Sequence, residues 1–175
     1  IEKDNPNRLG IKINNIEKNA QTLFKMNLLD IADEELVIPP AKFETELTLP
    51  STDFQKIIRD LSNISERLEI KSIGSELVFS CVGPFATAQI NRTESDGVTE
   101  FVKKTDTTEV IQGEFSLKNL GYFIKCTNLC SNIEMFLEND LPLVVKYSVA
   151  SLGEIKLFLA PLPCLLYTSP SPRDL

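Results

Sequence analysis

The feature that most constrains this chain is an internal repeat. Across residues 44–161 the same order of elements is written twice. The first copy opens with the strand pattern ETELTL and the helix pattern STDFQKIIRDLSNI, followed by the strands RLEIKS, ELVFSC and FATAQINRT. The second opens with EVIQGEF and the helix SLKNLGYFIKCT, followed by SNIEMFLE, LPLVVKYSV and EIKLFLAP. Leu68, Glu69 and Ile70 match Ile133, Glu134 and Met135 at one fixed offset, and one residue more aligns Leu77, Val78 and Phe79 with Leu143, Val144 and Val145. Alternation such as Leu68/Ile70 and Leu157/Leu159 gives each strand one face to bury. Gly74, Gly83 and Gly153 punctuate the short connections, as in antiparallel meanders. A βαβββ unit given twice predicts an α+β fold: two antiparallel sheets, with paired helices side by side on one face.

The helices divide by polarity. Phe54, Ile57, Ile58, Leu61 and Ile64 share one side of the first, and Gln55, Lys56, Arg59 and Asn63 the other. Ser51 or Thr52 is placed to cap it after Pro50, with Asp53 in the first turn where its charge suits the helix dipole. In the second helix Leu117, Leu120 and Ile124 go inward, while Lys118 and Lys125 point outward. The chain carries a net charge of −7, which taken alone speaks against nucleic acid. Its helices nevertheless turn a cationic side outward. Two readings fit: one basic surface on an acidic body, or exposed helix positions filled by good helix formers.

Composition weighs against an enzyme. Histidine is absent, which removes the usual general base, the usual partner of a Ser or Cys nucleophile and the commonest metal ligand. Cys126 and Cys130 are four apart, but two thiols without histidine do not make a structural zinc site; buried reduced thiols are expected. No run reaches the roughly 18 apolar residues of a membrane helix. The chain starts on Ile1 within strand-and-turn sequence, so its true amino terminus is expected to lie upstream. CLLYTSPSPRD, residues 164–174, looks like the in-frame translation of a transposon-type sequencing adapter, and residues 162–175 are read as a non-native tail.

One stretch fits neither repeat. LLDIADEELVIPPAKF, residues 28–43, carries Asp30, Asp33, Glu34 and Glu35, then the bare apolar run Leu36, Val37 and Ile38 before two prolines. With its D-x-x-x-E-x-L-x-I-P connector, the P-S-x-x-F-x-x-I-x-R-D-L helix start and the LPLVV…LAP ending, the chain resembles the replicative sliding clamp family, proliferating cell nuclear antigen, over residues 23–161. The resemblance implies a DNA clamp fold and a non-enzymatic processivity factor: a homotrimeric ring whose helices surround duplex DNA, closed by a clamp loader and holding a DNA polymerase and other partners. It implies no cofactor and no membrane partner. It places residues 1–28 as terminal strands of an amino-terminal domain, 29–43 as the connector and 44–161 as the carboxy-terminal domain.

Carried over by position, Lys56, Arg59, Lys118 and Lys125 would face the hole and touch phosphates without reading bases. Leu36, Ile38 and Pro39, with Pro142, Phe158, Leu159, Ala160 and Pro161, would form a groove for partner peptides. Leu23, Phe24, Lys25 and Met26 on one edge, and Phe85, Ala86, Thr87, Ala88, Gln89 and Ile90 on another, would pair between subunits. The implied location is the nucleus for a cellular eukaryote and the replication site for a virus. The chain departs from the family in lacking most of the amino-terminal domain, so alone it is not expected to close a normal ring. Val37 stands where the connector has glycine, and Gly74 stands near a position where many members carry a modifiable lysine. A subunit of a checkpoint-type heterotrimeric clamp is the neighbouring alternative. A metal-dependent hydrolase using Asp30, Asp33, Glu34 and Glu35 is disfavoured, because consecutive loop acids lack the fixed geometry of a metal site.

Overall fold

A computed structural model of the chain describes residues 7–28 and 41–163. The chain divides between residues 40 and 41 into two units, each taken by itself. In the first unit, β1 (Arg8–Asn15) and β2 (Ala20–Asn27) form an antiparallel hairpin. Its register sets Ile11 opposite Phe24 and Leu9 opposite Met26, with Ile13 further along the same face; the other face carries Lys12, Leu23 and Lys25. The ribbon is therefore two-faced, yet Ile11, Ile13, Phe24 and Met26 are all exposed. A two-stranded ribbon does not bury such a face alone.

The second unit contains β3 (Thr45–Pro50), α1 (Ser51–Ser62), β4 (Arg67–Ile73), β5 (Glu76–Val82) and β6 (Thr87–Thr93). It continues with β7 (Glu100–Lys103), β8 (Val110–Ser116), α2 (Leu117–Phe123), β9 (Asn132–Leu137), β10 (Leu143–Val149) and β11 (Gly153–Leu159). Among the described residues this is the predicted order of elements plus one strand, β7. That strand escapes a periodicity reading because EFVK is too short to show a period. The second helix is shorter than the sequence suggests: after Phe123 the chain tightens into a 3-10 helix over Ile124–Leu129.

The sheets combine the two copies instead of keeping them apart. One is ordered β11-β10-β9-β3-β7 and the other β6-β5-β4-β8. The opening strand of the first repeat, β3, thus pairs with β9 of the second, with Leu47 opposite Met135. The opening strand of the second, β8, pairs with β4 of the first, with Phe115 opposite Leu68. Exchange of opening strands ties the repeats into one folding unit, since neither sheet is complete without the other copy.

Phe54, Ile57, Ile58 and Leu61 of α1 and Leu117, Leu120 and Phe123 of α2 are buried in one core with Leu68, Ile70, Phe79, Ile133 and Val145 of the strands. Ile64 is half-buried at its border. The predicted Ser51 cap is not formed: Pro50 occupies the cap position without a side-chain bond, and the buried Ser51 hydroxyl donates to the Cys130 carbonyl at 2.8 Å. Burial gave that hydroxyl a carbonyl across the helix pair, which a solvent-facing cap would have lost. Gln55, expected on the outer side, is half-buried and donates to the Ile124 carbonyl at 3.3 Å, bridging the helices. Cys81 is buried, Cys126 and Cys130 are half-buried, and all three are free thiols.

Tyr147 ties the five-stranded sheet to α2. It is fully buried, and its hydroxyl donates to the Phe123 carbonyl at 3.0 Å. Burial, aided by the Cys126 and Cys130 thiols nearby, pushes the phenol well above its ordinary pKa. The folded protein then keeps a proton that the unfolded chain loses above about pH 10. Stability is expected to fall with rising pH there by up to about 1.4 kcal/mol per unit on account of this one group. Tyr147→Phe should remove that part of the slope while costing about 1 kcal/mol at neutral pH, where the Phe123 carbonyl loses its donor. Urea unfolding of both proteins at pH 8 and pH 11, as roughly spaced points either side of the phenol range, measures it.

Candidate nucleic-acid interface and docking groove

α1 and α2 lie side by side, each burying one side in the shared core. The opposite sides carry Lys56, Arg59, Lys118 and Lys125, all exposed. Their electrostatics differ from those of the sheets. Every cation within a strand of the second unit has a carboxylate partner: Arg67 with Glu114 at 3.0 Å, Lys71 with Glu69 at 3.0 Å, and Arg92 with Asp53 at 3.3 Å. Lys103 with Glu44 at 3.1 Å, Lys146 with Glu134 at 3.1 Å and Lys156 with Glu154 at 2.8 Å complete the set. Lys146 is held above the usual lysine range, first by its hydrogen bond to Glu134. Among the described residues, none of Lys56, Arg59, Lys118 and Lys125 makes an ion pair. Such pairs add little stability at a surface, but they do cancel charge. The helices therefore expose four cations without a carboxylate partner against one such acid, Asp60 of α1, within a chain of net charge −7.

A second feature lies on the five-stranded sheet, on the face turned away from the helices. Register places Phe158 opposite Val144, and Val144 opposite Phe136. The Phe136 ring meets Phe43 at 5.7 Å between centroids. Phe158 is 40% exposed, whereas Val144 beside it is only 4% exposed. Four apolar side chains thus cross a face whose next row is charged, with Lys146 between Glu134 and Glu154. Pro142 and Pro161 are half-buried nearby in sequence and Ala160 is exposed. Leu159 departs from its expected place on the groove wall: it lies opposite the fully buried Leu143 and packs on the core, because alternation turns it inward when Phe158 points out. Val144, Phe136 and Phe43 were not legible as members of this row. The available signal was the broken alternation in LVVKYSV, where three consecutive apolar residues leave one facing outward. Leu36, Ile38 and Pro39, like the acids Asp30, Asp33, Glu34 and Glu35, lie outside the described residues.

The chain edges complete the picture. β6 forms one edge of the four-stranded sheet, with Thr87 and Gln89 exposed and Ala88 and Ile90 turned to the core. Phe85 and Ala86 precede this strand in the turn, where Ala86 accepts from Gly83 N at 2.8 Å; Phe85 is 80% exposed. The predicted pairing strand therefore begins at Thr87. On β2, Leu23 and Lys25 share one face while Phe24 and Met26 share the other. Leu162, at the start of the segment read as a tail, donates its N–H to the Glu114 carbonyl at 2.7 Å.

The sequence matches the family model described as proliferating cell nuclear antigen, C-terminal domain, over residues 37–162. The chain belongs to the proliferating cell nuclear antigen family. It is 34% identical over 164 residues to a protein of Paramecium bursaria Chlorella virus 1 named "Probable DNA polymerase sliding clamp 1", covering 91% of this chain and 62% of that one. It is 36% identical over 148 residues to a protein of Acanthamoeba polyphaga mimivirus named "Probable DNA polymerase sliding clamp", covering 85% of this chain and 31% of that one. The chain thus spans about three-fifths of one viral relative and under a third of the other. The family match covers both helices, the apolar row and the β6 edge.

Proposed function

We propose that this chain is the carboxy-terminal part of a DNA sliding clamp, a non-enzymatic processivity factor that encircles duplex DNA and tethers a DNA polymerase to it. The observation that carries this reading is the charge arrangement of the second unit: its strand cations are paired with carboxylates, and among the described residues its four helix cations are not. Unpaired Lys56, Arg59, Lys118 and Lys125 suit phosphate contacts that are few and mobile, as sliding requires, since base readout would stop the ring. Retention would come from ring topology, with affinity contributing little. The apolar row of Phe158, Val144, Phe136 and Phe43 would supply a site for partner peptides, and the family resemblance assigns Leu36, Ile38 and Pro39 of the connector to the same role. Homotrimer closure would add β2 of one subunit to the free edge of β6 of the next, a head-to-tail contact that three copies can complete. Residues 29–43 would act as the connector and 44–161 as the carboxy-terminal domain. The viral relatives favour a viral replication context; a nuclear location would follow for a cellular eukaryotic source, and a clamp loader would open the ring.

Replacing Lys56, Arg59, Lys118 and Lys125 together by glutamine tests the reading. Affinity for a short DNA duplex, measured across salt concentrations, should fall roughly tenfold at low salt. The slope of log affinity against log salt should shrink by about 2 to 3, because each lost phosphate contact releases fewer counterions. Unchanged affinity and slope would assign these charges to solubility and end the clamp reading.

A further inference from the structure

Tyr122 was not among the residues expected at the basic helix surface, yet it stands within it. Lys118, Tyr122 and Lys125 recur at intervals of four and three, which places them on one stripe of the second helix and its 3-10 continuation. Tyr122 is 57% exposed, and the Lys125 ammonium sits over its ring at 5.3 Å from the centroid. Neither group is otherwise engaged: among the described residues Lys125 has no carboxylate and the Tyr122 hydroxyl has no hydrogen-bond partner. Gly121 beside them is open, for a Cβ built there meets nothing within 4 Å. The stripe therefore presents three hydrogen-bond donors, those of Lys118, Tyr122 and Lys125, beside a glycine with open space around it, and among the described residues no carboxylate pairs with them.

We propose that Tyr122 is a positioning residue of the DNA-facing surface: its ring holds the Lys125 ammonium, and its hydroxyl donates beside it to the same stretch of duplex backbone. This rests on the clamp reading above. Lysine on an exposed helix samples many rotamers, and a contact with phosphate must order one of them. A cation held against an aromatic face has lost part of that freedom beforehand, so less is forfeited on binding. The phenolic O–H adds a donor without adding charge. It can therefore strengthen the contact without steepening the salt dependence, which suits a surface that must hold DNA yet let it move.

A double-mutant cycle on the 175-residue chain with a short DNA duplex tests this. Lys125→Gln should weaken binding and reduce the salt slope by about 1. Tyr122→Leu should weaken binding about fivefold with the slope unchanged, and Tyr122→Phe, which keeps the ring and loses the hydroxyl, about twofold. In the Lys125→Gln background the effect of Tyr122→Leu should shrink to about twofold, because the ring has no ammonium left to hold. Because Tyr122 is exposed, unfolding midpoints of the variants should match the parent. Wild-type binding by Tyr122→Leu, or a loss that multiplies in full with Lys125→Gln, would overturn the proposal. If Lys118→Gln and Lys125→Gln weaken binding while Tyr122→Leu does not, this inference fails and the clamp reading stands. If the two lysine variants also leave affinity and slope unchanged, the clamp reading fails with it.

Discussion

Phe158→Ala is expected to reduce affinity for a polymerase-tail peptide by about 30- to 100-fold, the loss of 2 to 3 kcal/mol typical of an aromatic anchor at an interface centre. Phe158 is the exposed end of the apolar row, and Val144 beside it is nearly closed off by its neighbours on both sides. Truncation to alanine would remove the wall against which, on the proposed reading, a partner's apolar side chain packs, and uncover the strand behind it. The fold should survive, because the side chain points away from the core that holds Leu143, Val145 and Tyr147. On the proposed role of the connector in peptide binding, Leu36→Ala and Ile38→Ala should weaken the same peptide. Titration of each variant with a labelled peptide measures the effect, and an affinity for Phe158→Ala equal to that of the parent would remove the groove from this sheet face.

The second large effect is on stability. Gly83→Ala should destabilise the protein by about 3 kcal/mol or more, because the added methyl has nowhere to go. A Cβ on Gly83 would overlap the main-chain carbonyl of Ile64, so the obstacle is backbone and cannot swing aside. Both sides of that contact are already tied. Ile64 and Ser65 donate to the Leu61 carbonyl at the end of α1, and the Ser65 hydroxyl donates to Val82 at 3.0 Å. Gly83 itself donates to Ala86 at 2.8 Å, closing the turn into β6. Either the helix end or the turn must give way, and β6, the proposed subunit edge, would shift with the turn. Gly97→Ala is the internal comparison: its φ of 70° makes alanine strained, but open space surrounds it, so about 1 kcal/mol is expected. A urea midpoint for Gly83→Ala within experimental error of Gly97→Ala would mean that the close approach does not exist in solution.

Much of the fold was legible because its signals are local. Residues such as Leu68 and Ile70 reveal a strand by alternation, and Phe54, Ile57, Ile58 and Leu61 reveal a helix by spacing, whatever they pack against. The same spacing set Lys56 and Arg59 outward, and burial of the opposite side follows from the hydrophobic effect alone. Other features depended on partners distant in sequence. Capping is a local rule and offers Ser51 or Thr52, but the carbonyl that the Ser51 hydroxyl reaches belongs to the distant Cys130. Tyr122 and Phe123 are adjacent aromatics in one short helix, and only the packing of α2 shows that Phe123 goes inward beside Leu120 while Tyr122 stays exposed.

The sequence by itself determined that two βαβββ units exist, that each helix has one apolar and one cationic side, and that nothing in the chain offers a histidine for acid–base work or metal binding. Only the tertiary structure decided that the repeats trade their opening strands, that in the second unit the strand cations meet carboxylates while Lys56, Arg59, Lys118 and Lys125 do not, and that Phe158, Val144, Phe136 and Phe43 line up across the sheet. The physical reason is range. Periodicity records which face of an element avoids water, whereas strand exchange, ion pairing and cross-strand rows depend on which distant element arrives opposite, and that is set by the packing of the whole core.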